Sequence, residues 1–314
     1  MLVKLTKDEG NTKVLRPIVS QGQIRIFNQS NDPFFKNTFQ IRRKLSGIVR
    51  LQMKTLFSSL FLLLFLSVSA LGQGEPINSA FTFGEELQFD VSYGWINLAE
   101  AKLQIHRRVV NENSRPHYKI DAFGKTKGAA TIFGRVNDNW GTHVDTSTLL
   151  PSLSYRYIEE GKYRKNEKVF FDQQNKKAKM ELYDRENRNL KESKEYKLPG
   201  QVQDLVSGFY YLRTMDLTNL KKGQSILITG FFDKEIYNLK LIYDGKEKLS
   251  TQVGDFDTFK FTPIMPSNKL FRGEHPVTIW VSDDQNKIPL KIKAKLMVGA
   301  LNMDITKATG LRNN

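Results

Sequence analysis

The sequence predicts a mainly β fold: a curved antiparallel sheet forming an open or partly closed barrel, with one short helix at about 204–214 packed on it. Three observations carry this expectation. Apolar and polar residues alternate through most of the chain after residue 84, the period of half-buried strands. Gly, Asn and Asp recur between those runs, where strands must turn. One segment alone, Asp204 to Arg213, changes to helical spacing.

Taken in order, Leu87, Phe89, Val91 and Tyr93 alternate with Glu86, Gln88, Asp90 and Ser92, so 84–94 reads as a strand. Trp95 to Arg108 follows, with Leu103 and Ile105 inward and Lys102, Gln104 and His106 outward. Tyr118–Lys125 and Val136–Thr146 continue the pattern, separated by a helical turn or bend at 128–134. Pro151 cannot donate to a ladder and belongs at a strand start or an edge. Ser154–Glu159 and Lys162–Asp172 turn at Glu160-Gly161; Lys176–Tyr183 and Lys191–Leu198 form a second pair. Their charge on one side places them on an exposed face or near a sheet edge, where Lys discourages edge pairing.

In the helical segment, Leu205, Val206, Phe209 and Leu212 fall on one face, and Asp204 is suited to cap the free N–H groups. Strands then return at Ile226–Phe232 and Ile236–Tyr243. Asp244-Gly245 reads as a hairpin turn, followed by 247–253 pairing with Phe256–Pro263. Val277–Ser282, Ile288–Val298 and Ala300–Thr306 complete the series. That is more strands than the roughly ten a flat open sheet carries, so the sheet curls or, as an alternative, splits into two.

The region before residue 73 has a different character. Met53 to Gln73 has a positive start at Lys54, a Leu/Phe run from Leu56 to Leu66, and small residues at 67–72. This is the pattern of a secretory signal peptide, cut after Gly72 or after Ala70. An uncleaved anchor is the competing reading, but no basic cluster follows and the next charge is Glu75. The expected division is a non-native or disordered extension at 1–52, a signal peptide at 53–72, and one β-rich domain at 73–314. Met53 is then the true start, a real cytosolic extension being the alternative. Periplasmic or secreted localisation follows, with no lipobox cysteine and no stable membrane span after cleavage.

Charge and composition narrow the function classes. The formal net charge is +15, yet residues 1–72 hold 11 of the 48 Lys and Arg and 3 of the 33 Asp and Glu. That leaves 37 basic against 30 acidic residues in 73–314, dispersed and often alternating with apolar ones. Such spacing describes the wet face of a strand, so nucleic-acid binding is not expected. With no cysteine, disulfides, thiol nucleophiles and thiolate metal sites are excluded.

No catalytic signature emerges, and no cofactor is implied. His106, His117, His143 and His275 are scattered and lack metal-ligand spacing. Asp283-Asp284 and Asp255/Asp257 are carboxylate pairs, but both sit where hairpin turns use Asp to accept from the backbone. Aromatics offer a ligand-binding set: Tyr93, Trp95, Trp140, Phe209, Tyr210 and Trp280, with Phe133 and Tyr211 beside them. Core packing competes as the account of these rings.

Four stretches together resemble the bacterial domain-of-unknown-function family 3108: GEELQFDVSYGWINLAEAKLQI (84–105), DLVSGFYYLR (204–213), GDFDTFKFTP (254–263) and IWVSDDQNKIPLKIKAKLMVGALNMDI (279–305). Their order and spacing carry the match. The resemblance implies an exported β-rich protein of a Gram-negative bacterium; it implies no activity and no catalytic residues.

Three functions follow for test. The leading one is non-enzymatic binding of an apolar or amphipathic envelope ligand, a lipid or a glycan, in the concave face. The alternative is a structural or interaction module with a packed interior. A polysaccharide hydrolase comes last and requires Asp204, Asp283 or Asp284 to share a cleft. The oligomeric state is left open.

Overall fold

A computed structural model describes residues 78–132, 134–264 and 275–313, together with the backbone of 17–20 and 23–26. The signal-like segment and Phe133 lie outside the described residues. The chain divides into two units at Leu51. The first contains β1 (Pro17–Ser20) and β2 (Gln23–Ile26), an antiparallel pair.

The second unit is built on one 15-stranded antiparallel sheet. Its first half comprises β3 (Glu86–Tyr93), β4 (Ile96–Ile105), β5 (Val110–Glu112), β6 (Arg115–Thr126), β7 (Asn137–Asp145), β8 (Pro151–Glu160), β9 (Tyr163–Asp172), β10 (Lys177–Tyr183) and β11 (Leu190–Lys197). The helix α1 (Leu205–Arg213) follows. The second half comprises β12 (Ser225–Phe232), β13 (Glu235–Thr251), β14 (Gly254–Pro263), β15 (Val277–Ser282), β16 (Pro289–Lys295) and β17 (Ala300–Thr309).

Each half is a meander. The halves join where β3 pairs with β17, so the first and last strands of the unit lie at the centre of the sheet. The outer strands are therefore β11 and β12, and the chain between them carries α1. The period-2 reading holds at the centre: Leu87, Phe89 and Val91 are buried, opposite Ile305 and Met303 on β17. A short 3-10 turn occupies Gly128–Ile132.

The hairpin expected at Asp244-Gly245 is instead a bulge inside the 17-residue β13. Tyr243 pairs with Phe261 and Gly245 with Lys260, leaving Asp244 as the extra residue. Both flanks of the bulge pair with the same strand, β14, so the chain keeps its direction. Gly245 takes a φ of +107°, which a side chain would resist. The reversal comes later, at Gln252-Val253, between the paired Thr251 and Gly254.

The sheet does not close edge to edge; its ends overlap. On β12, Ile226 and Ile228 join the main core, while Phe231 faces the other way. Phe231 packs on Val169, Phe171, Ala178 and Met180 of β9 and β10, with Leu198 and Val202. The charged outer strands therefore lap over β12. Gln203 seals the overlap with parallel backbone bonds to β12: its N–H donates to Thr229 O (2.9 Å) and its carbonyl accepts from Phe231 N–H (2.9 Å).

Gly141 on β7 shows how tightly the outer face is packed. A Cβ there would lie 2.0 Å from Cζ of Tyr155, whose ring crosses the glycine. The crossing lets Tyr155 Oη donate to Asp121 Oδ1 (2.7 Å), while Asp121 Oδ2 meets His106 Nε2 at 2.6 Å. Gly141→Ala is expected to lower stability by about 1–3 kcal/mol through this overpacking. An unchanged urea midpoint would show that the ring moves aside freely.

Candidate functional site

The concave face is filled. Eight of the nine residues of α1 are buried, Tyr211 being the exception. The helix therefore lies within the sheet's curve instead of resting on one side of it. Asp204 caps it, accepting from Val206 N–H (2.8 Å) and Ser207 N–H (3.0 Å), and the Asp204 N–H donates to Ser207 Oγ (2.8 Å). Thr142 of β7 donates to the other carboxylate oxygen at 2.5 Å, fastening the cap to the sheet. Burial pushes the Asp204 carboxyl above its ordinary range, opposed by these hydrogen bonds. Two cavities beside α1 measure about 10 and 20 Å³. Each holds at most a water, since one water needs roughly 10–15 Å³ by this measure.

The six aromatics expected to form a ligand site are not brought together. Trp140 stacks on Phe232 (5.6 Å, 21°) in the interior, and the Arg156 guanidinium lies 5.2 Å and 4.3 Å from the two ring centres. Phe209 and Tyr210 are core residues of α1, Tyr210 meeting Phe81 edge-on at 4.9 Å. Trp280 alternates with the core residues Ile279 and Val281, so it lies on the outer face, with Lys260 Nζ 5.5 Å from its ring centre. Tyr93 donates to Val298 O (2.9 Å) at one end of the sheet, and Trp95 stands there 92 % exposed.

The interior also holds charges whose partners the alternation cannot supply. Arg156 Nε donates to Glu167 Oε1 (2.6 Å) and its Nη2 to Asp233 Oδ1 (3.0 Å), with Lys165 on the same two carboxylates. Burial opposes ionisation of Asp233, but hydrogen bonds from Lys165 and Arg156 hold its carboxyl down at about 2. At the far end of α1, Arg213 is completely buried against Glu85. These pairs satisfy one another and present no free reactive group to a substrate.

A polar cleft of about 740 Å³ lies at one end of the sheet, framed by the β5–β6 and β7–β8 connections and the β9–β10 turn. Glu112 anchors it. One of its oxygens bonds His143 Nδ1 and the other accepts from Ser152 Oγ (2.6 Å). The His143 bond is the main cause holding the Glu112 carboxyl below its ordinary range. Arg115 pairs with Asp145 (3.2 Å), whose carboxylate also accepts from Ser147 and Thr148; these bonds outweigh burial and lower its pKa. Ser152 donates to the carboxylate and to His143 O, so it is not paired with a histidine base. The cleft can hydrogen-bond a polar ligand.

The carboxylates that a hydrolase would require do not share it. Asp204 is the buried cap, Asp283 bonds Lys246, and Asp284 accepts from Ser282 Oγ and Lys287 N–H within its turn (both 2.8 Å). Among the described residues, no group of three His, Asp or Glu side chains converges as a metal site.

With this geometry in place, comparison with known proteins gives one family. The model for "Protein of unknown function (DUF3108)" matches residues 88–306. No curated protein matches. Among solved structures, the chain is similar to a β-barrel-like protein of domain of unknown function DUF1849 from Brucella abortus, at 8 % identity and a TM-score of 0.46, covering 73 % of this chain and 98 % of that one. It is also similar to a candidate lipoprotein from Parabacteroides distasonis (11 % identity, TM-score 0.31, 76 % and 100 % covered). A third is a candidate exported protein with a YmcC-like fold from Bacteroides fragilis (6 %, 0.30, 74 % and 99 %).

Proposed function

This chain belongs to the DUF3108 family, whose function is unknown, and from that premise we propose that it is an exported interaction module of the cell envelope. The observation that carries the proposal is the filled concave face. A carrier needs a cavity of some hundreds of Å³, whereas the spaces beside α1 measure about 10 and 20 Å³. Of the aromatics that suggested a ligand pocket, Phe209 and Tyr210 belong to α1 and are core residues, while Tyr93, Trp95 and Trp280 lie at the sheet end or on the outer face. Export rests on the Met53–Gln73 pattern, and among the described residues no helix is long and apolar enough to cross a membrane. The module works through its surfaces, chiefly the two ends of the sheet.

The test is direct. A fluorescent fatty acid titrated into the purified protein is expected to show no saturable binding, and native mass spectrometry no bound lipid. Saturable, competable binding at one molecule per chain would overturn the packed-interior reading.

A further inference from the structure

Strand direction sorts the connections. Because every neighbouring pair in the 15-stranded sheet is antiparallel, the β3–β4, β6–β7, β8–β9, β10–β11, β12–β13 and β16–β17 connections all emerge at one end. Ten large apolar residues are exposed on the described surface, and eight of them sit at this end. Trp95 and Ile96 mark the β3–β4 turn, Ile132 the β6–β7 connection, and Met297 and Val298 the β16–β17 turn. Tyr163, Leu190 and Ile236 continue round the same end on three further connections. Val109 and Phe170 are the two that lie elsewhere.

The first three connections are neighbours. Tyr93 pairs with Leu301 and donates to Val298 O, which sets the 94–95 turn beside the 296–299 turn. Lys127 N–H donates to Leu98 O (2.9 Å), which ties the 127–132 segment to β4. Trp95, Ile96, Ile132, Met297 and Val298 therefore stand on neighbouring connections at this end, 43 % to 92 % exposed. Exposed cations stand among them: Arg135, Lys162 and Lys295 make no ion pair among the described residues. Of the acidic residues on these connections, Asp184 pairs with Lys191 and Asp233 with Arg156 and Lys165, while Glu186 on the β10–β11 connection makes no ion pair among the described residues.

We propose that this end of the sheet docks on an anionic phospholipid surface, with Trp95, Ile96, Met297 and Val298 entering the headgroup region and the free cations meeting lipid charge. This rests on the interaction-module reading and names its partner. Apolar tips flanked by Lys and Arg, with Trp at the boundary, match the chemistry of a bilayer interface. A protein hot spot wants its anchors in a packed centre that excludes water. Here the anchors stand on separate tips, which a fluid surface accommodates and a rigid one does not.

Trp95 is also the reporter. Of the three tryptophans, Trp140 and Trp280 are 3 % and 7 % exposed, so a change in emission on adding vesicles reads Trp95. The purified chain, mixed with phosphatidylglycerol vesicles at low salt, is expected to show a blue shift and quenching by brominated acyl chains. Phosphatidylcholine vesicles should give a much smaller response, and added NaCl should weaken the first one. A chain attached to the bilayer by another segment leaves Trp95 in water. In cosedimentation, Trp95→Ser combined with Val298→Ser is expected to weaken vesicle affinity by about tenfold or more. Val109→Ser should leave it unchanged, and both variants should keep the wild-type melting curve. Trp95 emission unmoved by phosphatidylglycerol, or cosedimentation unaffected by the double substitution, would overturn the proposal. So would self-association that depends on these residues without any vesicle response, which would make the partner a protein. Fatty-acid binding in the interior leaves the Trp95 readings untouched, so the two proposals fail separately.

Discussion

Arg213→Met is expected to lower the free energy of unfolding by about 3–5 kcal/mol, the usual cost of removing one partner from a buried ion pair. The guanidinium has no solvent exposure. Nη1 and Nη2 donate to the two oxygens of Glu85 at 2.5 and 2.7 Å, Nε to Asn286 O at 2.9 Å, and Nη2 also to Ala80 O at 3.2 Å. One side chain thus joins the end of α1 to the segment entering β3 and to the turn between β15 and β16. Phe81 and Tyr210 flank it, their ring centres 5.4 and 5.0 Å from the guanidinium carbon. Burial alone would lower the Arg213 pKa, but the Glu85 charge reverses this and the pKa is raised. The substitution strands the Glu85 carboxylate in an apolar site, and that desolvation is the main penalty. The double variant Arg213→Met with Glu85→Leu should therefore be more stable than Arg213→Met alone. Urea unfolding of the three variants checks both statements. A single variant as stable as the wild type, or a double variant with summed losses, would refute this account.

The sequence shows how such residues could be found. The helix was legible because Leu205, Val206, Phe209 and Leu212 recur at helical spacing behind a capping Asp204. Arg213 lies four residues after Phe209, on the same stripe, so a charge stood at a position that the period assigns to the core. The same holds on β8, where Arg156 and Glu160 fall in step with the inward Ile158. Alternation marks these positions as buried, but it cannot supply their partners: Glu85 is 128 residues from Arg213, and Asp233 is 77 from Arg156. Strand existence and most turns follow from local pattern. The bulge at Asp244-Gly245 does not, because a turn and a bulge use the same glycine backbone and only the neighbouring strand distinguishes them. Nor does the overlap of the outer strands on β12, which depends on how far the sheet curls. The dispersal of the six aromatics follows from that curl as well, since it sets which face of each strand is enclosed.

Stability is expected to fall as pH rises from about 4 to about 7, and Asp138→Asn is expected to remove that slope. Asp138 on β7 and Glu160 on β8 are both buried and hydrogen-bond through their side chains. Asp138 Oδ1 also accepts from Glu159 N–H at 2.8 Å. Burial dominates and pushes the Asp138 carboxyl up to about 7, against the lowering effects of the Glu160 hydrogen bond and the Arg164 charge. Below the ordinary carboxylate range the group is protonated in both states, and its contribution is fully favourable. Between about 4 and 7 the unfolded chain releases a proton that the fold retains, so stability falls across that window, by on the order of a few kcal/mol in all. Above about 7 the folded state ionises too and the loss levels off. The carboxyls held low, such as Asp233 and Asp184 at about 2, act with the opposite sign: their stabilisation is present above the unfolded pKa and is lost as pH falls. Their window lies below that of Asp138. Asparagine keeps the acceptor for Glu159 N–H and presents a permanent donor to Glu160, so the variant should lose little at about pH 5 and gain on the wild type at about pH 8. Urea midpoints of both proteins at the two pH values provide the comparison. Parallel pH dependence in wild type and variant would mean that the Asp138–Glu160 pair holds no proton at neutral pH.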